Sequence, residues 1–160
     1  MEVEAFLADS VVAAESKLFV QGGGWNIIHT ATLPTQHPRI GIGMIVRIPY
    51  TATNQPHQFE LRLEDEDGNQ IALGKHSPGT APEGEDETIS QIDGEFNVGR
   101  PAGIFPGDEQ FLPFAINLDG LRFEKVGAYR FVLKVDGSEV KTLPFRINQV
   151  PQVGPIPRPS

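Results

Sequence analysis

Between Gln58 and Glu64 the chain alternates strictly. Phe59, Leu61 and Leu63 are apolar, and Gln58, Glu60, Arg62 and Glu64 are polar. Successive side chains of a β-strand point to opposite faces, so this run reads as a strand with one buried and one wet face. The same period recurs elsewhere. Ile40 to Tyr50 places Ile42, Met44, Val46 and Ile48 on one side, and Gln110 to Leu118 does so with Leu112, Phe114, Ile116 and Leu118. Gly127 to Asp136 sets Tyr129, Phe131, Leu133 and Val135 against Arg130, Val132, Lys134 and Asp136. Asp67-Gly68 turns the first of these runs into Gln70–Leu73, and Asp136-Gly137 turns the last into Val140–Ile147; both dipeptides favour tight hairpins. No long amphipathic helix is present. Short strands between frequent turn signals predict an all-β fold, a single antiparallel β-sandwich of eight or nine strands, immunoglobulin-like or jelly-roll.

The stretch Lys17–Leu33 carries the single tryptophan, Trp25, directly after Gly22, Gly23 and Gly24. It reads as a strand, a glycine bulge or bend, and a second strand. Residues 3–15 fit either a helix from Ser10 or a strand turning at Glu15-Ser16, and the hairpin is preferred. Leu33 to Arg39, with Pro34 and Pro38, reads as a loop. Gly41 and Gly43 face away from Ile42 and Met44 and predict a bend or a close neighbour. Pro113 and Pro144 cannot donate to a ladder and predict strand edges or bulges. The predicted core is Phe19, Trp25, Ile27, Ile42, Met44, Val46, Phe59, Leu61, Leu63, Phe114, Ile116, Tyr129, Phe131, Leu133 and Phe145.

One domain over residues 1–149 accounts for the pattern, followed by a proline-rich tail, 150–160. Gly74 to Gln91 changes composition, with Pro78, Pro82 and the acidic Glu83, Glu85, Asp86 and Glu87, and reads as a long excursion. The net charge of -8 opposes general binding to phosphate backbones and anionic membranes, so neither nucleic acid nor membrane is an expected partner. There is no cysteine, which removes disulfides, thiolate metal sites and a thiol nucleophile. With an acidic N-terminus and no apolar signal core, a cytoplasmic location is expected.

Catalytic signatures do not emerge. The histidines at 29, 37, 57 and 76 share no i, i+2 or i, i+4 spacing and read as isolated loop or solvent residues. Asp65-Glu66-Asp67-Gly68-Asn69 lacks the ligand alternation and closing glutamate of a calcium loop and reads as a turn. Neither Gly-x-Ser-x-Gly nor a phosphate-cradling glycine loop occurs. No catalytic residue, metal ligand or cofactor is therefore assigned. Three surface candidates remain. Gly22, Gly23, Gly24 and Trp25 line a ligand groove or else surround a core tryptophan. The segment Arg100–Gly107 holds Ile104 and Phe105 at a loop tip, either exposed for a partner or folded back as a plug. The tail offers Pro155 and Pro157 at a spacing suited to extended peptide recognition.

Leu7-Ala8-Asp9-Ser10, the run from Lys17 to Trp25, Phe96-Asn97-Val98-Gly99-Arg100-Pro101 and Gly127-Ala128-Tyr129-Arg130-Phe131 resemble a family of small uncharacterised bacterial proteins, frequent in actinobacteria. The resemblance extends to about Ile147 and implies no activity. The Gly-x-Tyr-x-Phe strand with its Asp-Gly turn also resembles the last hairpin of many immunoglobulin-like domains, a likeness of fold alone. The expected role is a non-catalytic interaction or accessory module that binds another protein or its own copies, with Arg100, Ile104, Phe105, Pro155 and Pro157 as contact residues. Alternatives are a small-molecule or carbohydrate binder, or jelly-roll hydrolase, with a pocket near Trp25, and a structural subunit of a phage or shell-type particle.

Overall fold

The structure is a computed structural model, which describes residues 1–75 and 88–151. Twelve strands are present among these residues, not eight or nine: β1 (Glu2–Ala14), β2 (Lys17–Gly23), β3 (Ile27–Thr30), β4 (Thr35–Pro49), β5 (Pro56–Asp65), β6 (Gln70–Ile71), β7 (Gly74–Lys75), β8 (Thr88–Ile89), β9 (Gln91–Asn97), β10 (Glu109–Phe123), β11 (Gly127–Val135) and β12 (Ser138–Gln149). A single 3-10 turn, Tyr50–Ala52, follows β4.

The strands form a four-stranded sheet, β10-β4-β1-β2, and a six-stranded sheet, β3-β12-β11-β5 with β6 and β9 sharing the outer side of β5. β7 and β8 make a small separate ladder. Pairing is antiparallel except between β3 and β12, which run parallel from Ile27↔Arg146 to Thr30↔Gln149. That pair corrects the expectation of a wholly antiparallel fold. Both prolines fit their edges. Pro113 lies on β10, which pairs with β4 alone, and Pro144 lies just ahead of the stretch of β12 that β3 covers. The predicted loop at 33–39 is shorter than expected: β4 already begins at Thr35. Pro38 is tolerated there because β1 joins β4 only from Gly41 onward.

The alternating faces meet in one apolar cluster. Ile40, Ile42, Met44, Val46 and Ile48 of β4 face Leu61 and Leu63 of β5, Phe131 and Leu133 of β11, and Ile147 of β12, all buried. Burying each such side chain contributes about 1.5–3 kcal/mol. Aromatic rings fill both ends. Phe123, Tyr129, Phe131 and Phe145 pack at one, with centroids 5.0–5.9 Å apart; Phe59, Phe96 and Phe114 pack at the other. Tyr129 donates its hydroxyl hydrogen to Lys125 O at 2.7 Å, pinning the chain that enters β11. Three predicted core residues sit differently. Phe19 is 53% exposed and Ile27 45% exposed, because β2 and β3 are edge strands, and Trp25 is only half-buried at the cluster's margin. Phe114 and Ile116 are partly buried on the edge strand β10. β10 also runs past Leu118, since the positive φ of Gly120 shifts its phase and turns Leu121 and Phe123 inward.

Gly41 and Gly43 explain the shape of the four-stranded sheet. A Cβ at Gly41 would lie 3.1 Å from Ser10 Cα, and one at Gly43 would lie 2.8 Å from the Phe6 ring and 3.1 Å from Leu18. The close neighbour predicted here is the β1–β2 hairpin itself. It bends across the outer face of β4, where Asn117 of β10 holds Val11 by both backbone groups, at 3.0 and 2.8 Å. The hairpin turns on Glu15 and Ser16, both at positive φ. Gly41→Ala pushes against Ser10 backbone that has no rotamer to yield, so a loss of about 1–3 kcal/mol is expected in denaturant unfolding. Faster hydrogen exchange of the amides from Ser10 to Gln21 should accompany it, while β11 and β12 stay protected.

His57 departs from the expectation of isolated exposed histidines. It is buried on β5, 5.3 Å from the Phe96 ring. Its Nδ1 lies 2.8 Å from Asp136 Oδ2 and its Nε2 lies 2.7 Å from Ala52 O. Both neighbours are acceptors, so both are satisfied only by the doubly protonated ring. Burial works against that charge, as does the chain's amino terminus, but the bonds to Ala52 and Asp136 prevail and raise the His57 pKa above its ordinary value. The bond from His57 in turn holds the Asp136 carboxyl below the usual range. A raised histidine pKa gives stability that is whole below the unfolded value near 6.5 and lost as pH rises through the folded one. Unfolding free energy should therefore decline from pH 6 to pH 8.5. His57→Phe should cost about 1–3 kcal/mol at pH 6, through the unsatisfied Ala52 carbonyl, and flatten that decline; a wild-type profile retained by the variant would assign the slope elsewhere.

Candidate functional site

The 3-10 turn that His57 anchors carries Tyr50, and Tyr50 is the fixed point of the surface at this end of the sheets. Its carbonyl accepts from Thr53 Oγ1 at 2.7 Å and from Arg100 Nη2 at 3.0 Å, and its amide donates to Asp108 O at 3.1 Å. The Arg100 guanidinium lies over the Tyr50 ring, 4.0 Å from the centroid, and its Nε donates to Thr53 Oγ1. Arg100 forms no ion pair among the described residues; its role is to clamp the ring by stacking and hydrogen bonding.

The predicted loop tip is next to this clamp. Asp108 Oδ2 accepts from the Phe105 amide at 2.8 Å, and the Asp108 amide returns a bond to Phe105 O at 2.9 Å. This closes a tight turn through Pro106 and Gly107, the latter at positive φ. Phe105 stands 67% exposed at its head, and Ile104 is half-buried. Phe111, the first aromatic of β10, is 64% exposed on the same side. Arg47 passes within 6.0 Å of the Phe111 ring while its guanidinium joins Glu2 at 2.6 Å and Glu109 at 2.7 Å. The bond to Glu109 is the first cause holding the Arg47 pKa above its ordinary value.

Together these groups border an open cleft of about 560 Å³, lined by Pro49, Tyr50, Pro106, Asp108, Glu109 and Phe111, with Thr51 and Gly107. It offers flat rings, proline edges and two carboxylates. Of the sequence-predicted contact residues, Arg100 touches the lining residue Tyr50 and Phe105 the lining residue Asp108, while none of Arg100, Ile104 and Phe105 lines the cleft itself. Pro155 and Pro157 lie outside the described residues, as does the acidic cluster at 83–87. Phe111, Tyr50 and Pro49 were missed. Phe111 carried a signal: it is out of phase with Leu112, Phe114, Ile116 and Leu118, so a strand that buries those four must expose it.

The other candidate, around Trp25, has a different geometry. Gly22 has positive φ at a break in the β1–β2 ladder, and the Asp9 carboxylate occupies the space beside it, 2.1 Å from where a Cβ would be. Trp25 Nε1 donates to Asp9 Oδ1 at 3.1 Å, and the indole tilts against His37 at 6.2 Å. Val20 fills the space beside Gly23, while Gly24 is open. A shallow depression of about 550 Å³ adjoins, lined by Asp9, Ser10, Gln21, Pro38, Arg39 and Asp119. Two of its three charges are paired: Arg39 donates to both oxygens of Asp119 and holds that carboxyl below the usual range. Burial keeps the His37 imidazole below its ordinary pKa, against the Arg39 backbone and the Asp9 charge. A third apolar surface lies on the β1–β2 hairpin, where Val12, Phe19 and Val20 are exposed.

Among the described residues no group of three or more His, Asp or Glu side chains is placed to hold a metal ion. No helix there is long and apolar enough to cross a membrane. Asp65 is buried in its turn, where Asp67 N, Asn69 N and Asn69 Nδ2 donate to it. The turn leads straight into β6, as the hairpin reading of that segment expects.

Among solved structures the chain is similar to a family 123 glycoside hydrolase from Clostridium perfringens. Identity is 16%, the TM-score is 0.36, and the match covers 98% of this chain and 29% of that one. The chain thus spans less than a third of that enzyme's length, and a likeness at this score carries no conclusion about activity. No curated protein matches the chain. A family model does match, over residues 4–148, which is nearly the whole described fold. The protein belongs to the family of unknown function DUF6941.

Proposed function

We propose that this protein is a non-catalytic binding module, an immunoglobulin-like β-sandwich that docks an extended segment of protein in the cleft between Tyr50 and Phe111. One observation carries the reading: Phe105 and Phe111 are both more than 60% exposed on a frame that fixes their position. Exposed apolar rings on a braced surface mark contact sites, and aromatic anchors supply most of the energy at such sites. Tyr129, bonded to Lys125 O four residues upstream at the start of β11, has the geometry of the tyrosine corner of immunoglobulin-like domains and supports the fold assignment. Absence of cysteine and a charge of -8 suit a cytoplasmic setting.

An open cleft lined by two rings and two prolines favours an extended chain over a compact ligand. The reading of a small-molecule or carbohydrate pocket near Trp25 is weaker, because Asp9 and Val20 take up the space beside Gly22 and Gly23, and Arg39 and Asp119 are paired with each other. Nothing specific favours a particle subunit.

Selection of a random peptide library on the full chain tests the reading. Proline-containing peptides should be enriched. Phe111→Ala should weaken the selected peptides at least tenfold, the effect of removing an anchor of about 2 kcal/mol, and leave thermal stability unchanged because the ring is exposed. Selection of nothing, or of peptides indifferent to Phe111→Ala, overturns it.

A further inference from the structure

The occupant of the cleft can be read from the chain itself. We infer that the cleft of one copy receives the proline-rich tail of a second copy, through Pro155, Pro157 and Arg158. The inference rests on the docking role proposed above and names its partner.

Chemistry supplies the first argument. The tail reads Pro155-Ile156-Pro157-Arg158-Pro159, a run whose fixed backbone angles favour the extended polyproline helix. Such a helix loses little conformational freedom on binding, and it lays its proline rings between aromatic side chains. The cleft is lined by Tyr50, Phe111, Pro49 and Pro106. It also presents Asp108 and Glu109, each with one carboxylate oxygen unbonded among the described residues. Arg158 is the one charged side chain of the tail, and its sign is opposite to that of these two lining groups. A planar guanidinium suits a carboxylate beside a ring.

Reach supplies the second argument and favours a contact between two molecules. The tail leaves the fold at the far end. Val150 N donates to Thr30 O, where β3 and β12 run out. The cleft is at the end of β4 marked by Pro49. β4 has 15 residues, about 46 Å at strand rise. The register from Pro56 through Asp65↔Tyr129 and Tyr129↔Phe145 to Gln149 gives roughly 40 Å in the other sheet. Seven residues separate Pro151 from Arg158, which span about 22 Å as a polyproline helix and about 25 Å at full extension. Measured along the strands, the run reaches little more than half way to its own cleft, and this favours the cleft of a second copy. A tail in a neighbour's cleft is a head-to-tail contact, which closes when two copies exchange tails and otherwise propagates as a chain.

Two variants of the full chain test this by light scattering after gel filtration. Wild type should show a mass that rises with concentration. Phe111→Ala, with a dead cleft, and Pro155→Ala/Pro157→Ala/Arg158→Glu, with a dead tail, should each run as monomers. An equimolar mixture should form a dimer, since one partner retains a tail and the other a cleft. The triple substitution lies beyond residues 4–148, which the family model covers, and circular dichroism of each variant checks that the fold is kept. Wild type that stays monomeric to about 1 mM, the weak end of affinity, overturns the inference. So do variants that keep the wild-type mass, or a mixture that stays monomeric. Peptide selection on the dead-tail variant separates the two levels. Selected peptides that need Phe111, with wild type monomeric, remove only the tail as occupant; no selected peptide at all removes the docking role with it.

Discussion

β4 is buried on both sides, and the rest of the fold is arranged around that fact. One face is a row of Ile40, Ile42, Met44, Val46 and Ile48 set in the core. The other is stripped to Gly41 and Gly43 so that the β1–β2 hairpin can lie against it. A strand packed in this way has few alternative positions, because a shift by one residue would put glycine into the core and isoleucine against the hairpin backbone. Its end is therefore fixed, and Pro49 and Tyr50 are fixed with it. The cleft inherits its rigidity from a strand that reaches it only through its last residue, Pro49.

The connection from β4 to β5 shows how polar groups complete what packing begins. Tyr50 O, Ala52 O and Asp136 Oδ2 are three acceptors gathered around the 3-10 turn and the start of β5. Arg100 and Thr53 answer the first, and His57 answers the other two. His57 bonds from β5 to the turn and to the β11–β12 hairpin, so its protonation adds a polar tie to segments that the apolar cluster also joins. The stacked Arg100 adds a second tie from the loop before β10. An aromatic ring held by such ties loses little further freedom when a partner arrives, which is the condition for a strong contact.

Legibility in the sequence followed the wet side of each strand. β5, β4 and β11 have one face in water or against glycine, so the alternation printed itself into the residues, and their buried sets were readable. The Asp136-Gly137 turn was readable because only small or turn-forming residues accept its backbone angles, positive at both positions. Position within a sheet was not readable. Phe19 and Ile27 have the same strand propensity as Phe131 and Ile42, yet β2 and β3 are edges, and propensity carries no information about neighbours. The parallel β3–β12 pair escaped notice because strand polarity leaves no mark in a four-residue run. His57 escaped because a buried histidine is made by its acceptors, Ala52 and Asp136, which lie 5 and 79 residues away. At the cleft, the loop at 100–107 was visible through its glycines and prolines. Tyr50 looked like an ordinary strand end until Arg100, fifty positions later, was found stacked on it.

The distribution of perturbed groups weighs toward binding over chemistry. Active sites shift pKa values by placing a titratable group in a cleft with its reactive atom free. Here the shifted groups spend their atoms on the fold: both His57 nitrogens are bonded, Asp65 closes its own turn, and Asp119 is gripped by Arg39. The cleft at Tyr50 has the reverse character. Phe111 is exposed and Tyr50 half-buried, while one oxygen of Asp108 and one of Glu109 are without a partner among the described residues. The open groups of this cleft are therefore an apolar ring and carboxylate oxygens, and the proposed docking of a chain that carries proline and arginine rests on them.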